Sequence, residues 1–207
     1  MADRVATLKV VDALELDEAT RRALKPGELM RDRNGMLRRL PRFFFEVESW
    51  EMARATQLTP HFGLWEFVNV DLKETPSQRR YPRYVPCAVS LLASYLELLR
   101  DKVRTYIRIA ANGAYRTPSH ALSTHASPHC WGTAANIHKI GDESLDTQDA
   151  IERCGSIAAK LLPSVWVRPF GTDVGTADDH LHVDLGYVTV VPHDAAGEAE
   201  PAEAKDE

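Results

Sequence analysis

Two short stretches, far apart in the chain, constrain it more than anything else: Ser127-Pro128-His129-Cys130-Trp131-Gly132-Thr133-Ala134-Ala135-Asn136, and Asp178-Asp179-His180-Leu181-His182-Val183-Asp184. The first offers an imidazole at 129 and an oxygen donor seven positions later. The second offers imidazoles at 180 and 182, with a carboxylate at 179, three residues before the later one. A fold that uses both must bring distant segments to one point. Three protein donors and an open fourth position are what hydrolytic zinc requires, because the open corner holds the water being activated. Taken alone, His-x-His-x-Asp in a strand reads equally as a hydrogen-bonded polar face. His129 and the glycine-spaced motif upstream favour the metal.

At these residues the chain resembles the M15 zinc peptidases. These are the D-alanyl-D-alanine carboxypeptidases and dipeptidases and the L-alanyl-D-glutamate endopeptidases that cut peptidoglycan stem peptides. Their signature reads Ser-x-His-x-x-Gly-x-Ala-x-Asp, followed by Asp/Glu-x-x-His. Ser127, His129, Gly132 and Ala134 match the first part, and Asp179 and His182 the second. Arg116, in Ala114-Tyr115-Arg116-Thr117-Pro118, stands where the family's Gly-Tyr-Arg-Ser-Pro places an arginine. Leu58-Thr59-Pro60-His61-Phe62 is similar to the start of the domain, so the resemblance spans roughly residues 58–192. It implies an α+β fold of the M15/hedgehog-like kind and one zinc ion held by His129, His182 and residue 136. It further implies Asp179 as general base, Arg116 steadying the transition state, and His180 donating to substrate or to the developing oxyanion. Ser127, with Tyr115 and Trp131, would meet the substrate, a short D-Ala-containing peptide or peptidoglycan stem peptide.

The departure is at the third ligand, where the family has aspartate and this chain has Asn136. A carboxylate brings a charge to a dication and an amide oxygen only a dipole, so zinc should be held less tightly. His138, two residues on, would share a face with Asn136 in an extended segment and is an alternative third ligand. The other outcome is a catalytically silent domain that keeps the cleft for binding.

With 207 residues, 44% of them hydrophobic, the chain can bury a core as one domain with appendages, or at most two. A net charge of -5 argues against general nucleic-acid binding. Arg31, Arg33, Arg38, Arg39 and Arg42 nonetheless cluster early, followed by Arg79, Arg80 and Arg83. They read as a solvated hairpin face or as a patch facing an anionic polymer, which would make the N-terminal segment an interaction module. The start lacks the apolar stretch of a signal peptide, and nowhere is there a run of about 20 apolar residues for a membrane span. The expected location is therefore cytoplasmic, and reaching a cell wall would need a separate release route. Cys87, Cys130 and Cys154 are odd in number and widely spaced, so no disulfide framework is expected. Cys130 reads as a small buried thiol.

Periodicity gives an α+β domain with a small antiparallel-leaning sheet and flanking helices. Residues 1–50 read as a β-rich accessory segment, with a hairpin about Asn34-Gly35 and a short helix from Asp17 to Leu24. The main domain is set at 51–192 and an acidic disordered tail at 193–207. Helices are expected from Pro86 through Thr105 and, capped by Asp146, from Gln148 to Leu162. Strands are expected over 106–110, 165–168 and 182–191, with 117–128 an irregular loop leading to His129.

Overall fold

The computed structural model describes residues 8–171 and 178–193, and the acidic tail beyond 193 lies outside the described residues. In chain order the elements begin β1 (Val10–Asp12), α1 (Glu18–Leu24), β2 (Leu29–Arg31), β3 (Leu37–Arg39), β4 (Phe43–Val47) and α2 (Trp50–Ala55). They continue β5 (Gln57–Thr59), β6 (Phe62–Gly63), α3 (Leu64–Phe67), β7 (Arg83–Pro86), α4 (Val89–Val103) and β8 (Ile107–Ile109). The last are β9 (Ala134–Ile140), β10 (Glu143–Ser144), α5 (Gln148–Ala159), β11 (Trp166–Val167) and β12 (Leu181–Asp184). The result is a mixed α+β fold built on small antiparallel sheets, as the periodicity predicts. Among the described residues no helix is long and apolar enough to cross a membrane.

The local chemistry explains most boundaries. Asp17 caps α1 by accepting the Thr20 N–H at 3.0 Å, and Thr147, one residue past the expected Asp146, caps α5. Pro86 ends β7 and does not open α4, whose first turn begins at Val89. The expected strand over 182–191 stops at Asp184, because Gly186 turns the chain at φ +77°.

β9 is the centre of the main sheet, ordered β10-β9-β12-β11, with β8 also paired to β9. A second sheet, β1-β4-β7, joins the first fifty residues to the rest, since β4 pairs Phe44–Val47 against Pro86–Arg83. The N-terminal segment thus shares its core with the main body. Leu92, Leu96 and Leu99 of α4 are fully buried in that core beside Phe44, Phe67, Ile137 and Leu181. Leu96→Ala is expected to cost about 2–5 kcal/mol, through lost burial and the cavity left behind, read as a lowered urea midpoint.

Candidate metal centre

β9 and β12 carry the site. Their antiparallel register sets His182 directly opposite Asn136 and Asp184 opposite Ala134. A slip of one residue would turn every one of these side chains to the other face. His129 comes from a short 3₁₀ turn, Pro128–Trp131, that precedes β9 and closes at Gly132 with φ +69°. The turn is pinned to the loop after β8: the Arg116 N–H donates to the His129 carbonyl at 3.3 Å. His129 Nδ1 in turn donates to the Ala114 carbonyl at 2.6 Å. Gly113 is required where this loop crosses β9, since a Cβ there would sit 2.6 Å from the Ala110 oxygen and 2.9 Å from the Asn136 oxygen.

The rings of His129 and His182 converge edge to face, their centroids 5.1 Å apart. Asn136 Oδ1 lies 2.9 Å from His182 Nδ1, and Asp184 Oδ2 lies 3.1 Å from His182 Nε2. His182 thus has an oxygen at each nitrogen, whereas His129 has one nitrogen tied to an acceptor, the Ala114 carbonyl. That support from behind, leaving the other nitrogen as a lone pair, is what ligand imidazoles receive in metal sites. Among the described residues no three His, Cys, Asp or Glu side chains gather as a metal cage, and the oxygen set beside His182 Nδ1 is that of the Asn136 amide. By donor type, two imidazole nitrogens and an amide oxygen fit a divalent cation, with less charge than the carboxylate set.

Burial is the largest influence on both histidines. It holds His129 well below the ordinary histidine value of 6.5, with Arg116 and His182 adding to the shift. It lowers His182 too, helped by Arg168 and Arg116, while Asp184 works the other way. Because both are neutral when folded and can take a proton when unfolded, their contribution to stability is present above about pH 6.5 and lost as pH falls below it. Each is expected to remove up to about 1.4 kcal/mol per pH unit below that point, measured by urea unfolding in chelator at pH 7.5 and 5.5.

The outer wall is formed by β11 and the approach to β12. Arg168 Nη2 donates to His180 Nε2 at 3.0 Å, so His180 uses its Nδ1 proton to donate to Asp179 Oδ1 at 2.7 Å. Asp179 keeps a side chain that is 66% exposed. Trp166, across from Asp184 in the β11–β12 pair, lies edge-on to the His182 ring at 5.6 Å while remaining half exposed. Arg116 is half-buried, and its guanidinium makes no hydrogen bond or ion pair among the described residues. Burial lowers its pKa, against the pull of Cys130, Asp71 and Glu74.

Other expected site residues lie elsewhere. His138 is exposed, because β9 carries it past the cluster to the surface, and its ring makes no hydrogen bond among the described residues. Tyr115, expected at the substrate, is buried, its hydroxyl without a hydrogen-bond partner among the described residues, in a cavity of about 10 Å³ shared with Gln78, Arg83 and Glu74. Trp131 is fully buried in a separate apolar cluster and donates its indole N–H to the Arg39 carbonyl at 3.2 Å. Neither aromatic presents a face to a ligand. Ser127 is partly exposed at the head of the 3₁₀ turn, with no side-chain cap bond.

The early arginines serve the N-terminal hairpin. Arg31 binds the Gly35 carbonyl, Arg33 donates to His125, Arg38 pairs with Asp32, Arg39 binds the Gly27 carbonyl and Arg42 pairs with Asp12. The hairpin also grips the loop that carries His129, through Ala126 N–H to the Arg31 carbonyl at 2.7 Å, and the segment after β12, through Arg38 over the Tyr187 ring. Three residues of this neighbourhood were not given roles from sequence. Asp184 had a signal in its i, i+2 spacing from His182, whereas Arg168 and Trp166 depend on the β11–β12 pairing. Comparison with protein-family models, curated proteins and solved structures finds no match.

Proposed function

We propose that the chain is a zinc-dependent peptidase of M15-like type, cutting amide bonds in short peptidoglycan-type, D-Ala-containing peptides. The observation that carries this reading is the convergence of His129, His182 and Asn136 from one turn and two paired strands, each imidazole braced from behind. His129, His182 and the Asn136 amide would hold the ion. Zinc bound there supplies a polarised scissile carbonyl and a water whose pKa falls toward about 7. Asp179, steadied by His180, takes the water proton and returns it to the leaving amine. Arg116, whose guanidinium makes no hydrogen bond or ion pair among the described residues, would face the developing oxyanion. Ser127 receives the substrate near its carboxylate.

A second reading has its own support. Asn136 brings no charge to a site already under the positive field of Arg116 and Arg168, and its amide is in contact with His182. On this reading the cleft is catalytically silent and binds a peptide, a cell-wall fragment or a protein partner. One assay separates the two: incubation with a D-Ala-D-Ala-terminated peptide, with and without zinc, following release of free amine. Zinc-dependent release by the native chain, lost in His129→Ala, supports the peptidase. No release by the native chain, and release by Asn136→Asp, assigns the silent reading.

A further inference from the structure

The His182 ring has an oxygen at each nitrogen: Asp184 Oδ2 at 3.1 Å from Nε2 and Asn136 Oδ1 at 2.9 Å from Nδ1. A neutral imidazole has one N–H to give, so it cannot satisfy both. The carboxylate is the stronger acceptor, because hydrogen bonds to a charged group are roughly twice as strong as neutral ones. Asp184 is also fixed in place. It is buried, and its other oxygen accepts the Gly186 N–H at 2.8 Å, while Thr133 Oγ1 donates to the Gly186 carbonyl at 2.5 Å. With the proton at Nε2, Nδ1 is a lone pair, and an amide oxygen facing it would repel. The two ends of an asparagine amide are nearly identical in shape, and their assignment follows from the hydrogen bonds they make.

We propose that Asp184 is a positioning residue that holds the His182 proton on Nε2, and that Asn136 is a reversible partner for the lone pair left at Nδ1. Without a cation, the amide donates Nδ2–H to Nδ1. When a divalent cation enters, the amide makes a half-turn about Cβ–Cγ and presents Oδ1 as a ligand beside Nδ1. An aspartate at 136 has no N–H and cannot close the empty site in this way. Asparagine thus gives the site a stable cation-free state at the expense of affinity. This second half rests on the cation reading of the cluster; the tautomer does not.

The test is ¹⁵N NMR of the histidine rings in the full chain, first in chelator and then with zinc added. The native His182 ring is expected as Nε2–H in chelator, with zinc shifting the Nδ1 resonance and leaving Nε2 protonated. In Asp184→Asn the new amide can donate to Nε2, so the ring proton is expected to move to Nδ1, and zinc affinity to fall about 10–100-fold. Asp184→Glu, which keeps the carboxylate, is expected to retain Nε2–H. A native Nδ1–H ring, or a doubly protonated one, overturns the proposal even if zinc binds. An Nε2–H ring that zinc leaves unperturbed overturns the amide swing and the cation reading together, while the role of Asp184 stands. Should Asp184→Asn fail to fold, the native ring and Asp184→Glu decide the matter.

Discussion

Asn136→Asp is expected to bind zinc at least about 10–100-fold more tightly than the native chain, since changes merely to groups behind metal ligands are worth that much and this one adds a charge at the ligand itself. The position is already aimed: Asn136 sits directly across from His182 in the β9–β12 register, with its side chain 2.9 Å from Nδ1. Aspartate has the same length and branching, so no repacking is required. The added charge also offsets the guanidinium field of Arg116, which acts on both histidines, and of Arg168, which acts on His182. In chelator the same substitution is expected to work in reverse. A carboxylate facing Nδ1 while Asp184 faces Nε2 favours a doubly protonated ring, so the His182 pKa should rise above its native position. Competition against a zinc chelator reads the first effect and ring NMR the second. An affinity unchanged by the substitution would show that position 136 is not a ligand.

Glu74→Ala is expected to destabilise the fold by about 2–4 kcal/mol and to loosen the loop that carries Arg116. Glu74 is buried, and its two oxygens accept the Thr117 hydroxyl at 2.7 Å, the Thr117 N–H at 3.1 Å and the Thr75 N–H at 2.8 Å. Hydrogen bonds to a charged acceptor are worth about 1.5–3 kcal/mol each, and they do not add fully within one network. Truncation would leave Thr117 with two buried donors and no acceptor, one residue from Arg116. The urea midpoint measures the stability loss. A shift below about 0.5 kcal/mol would mean that the loop is held by other contacts, such as the Tyr115 N–H to the Phe67 carbonyl.

The parts of this fold legible in the sequence are those that depend on local chemistry. The apolar stripe Val89-Leu92-Leu96-Leu99 declares α4, Asn34-Gly35 declares the β2–β3 hairpin, and Asp17 declares the start of α1. The convergence of His129 with His182 was legible only through motif resemblance, because nothing local to either residue specifies the β9–β12 register. The misreadings share one cause. Tyr115 and Trp131 stand beside site residues in sequence, but their large apolar surfaces take them into the core, and tertiary burial overrides adjacency. His138, the alternative third ligand, is not gathered with His129 and His182 among the described residues. It lies two residues beyond Asn136, yet β9 has by then carried the chain past the cluster to an exposed position. The arginine-rich start read as a solvated hairpin face or as a patch facing an anionic polymer, and its side chains bind Asp12, Asp32, His125 and backbone carbonyls that only folding brings near.

The most direct measurement is isothermal titration of zinc into the full chain, alongside His129→Ala and His182→Ala. The account predicts one ion per native chain and loss of that binding in each variant, with both variants still folded by circular dichroism. Zinc binding that survives both substitutions, or that is absent from the native chain and from Asn136→Asp alike, would contradict it.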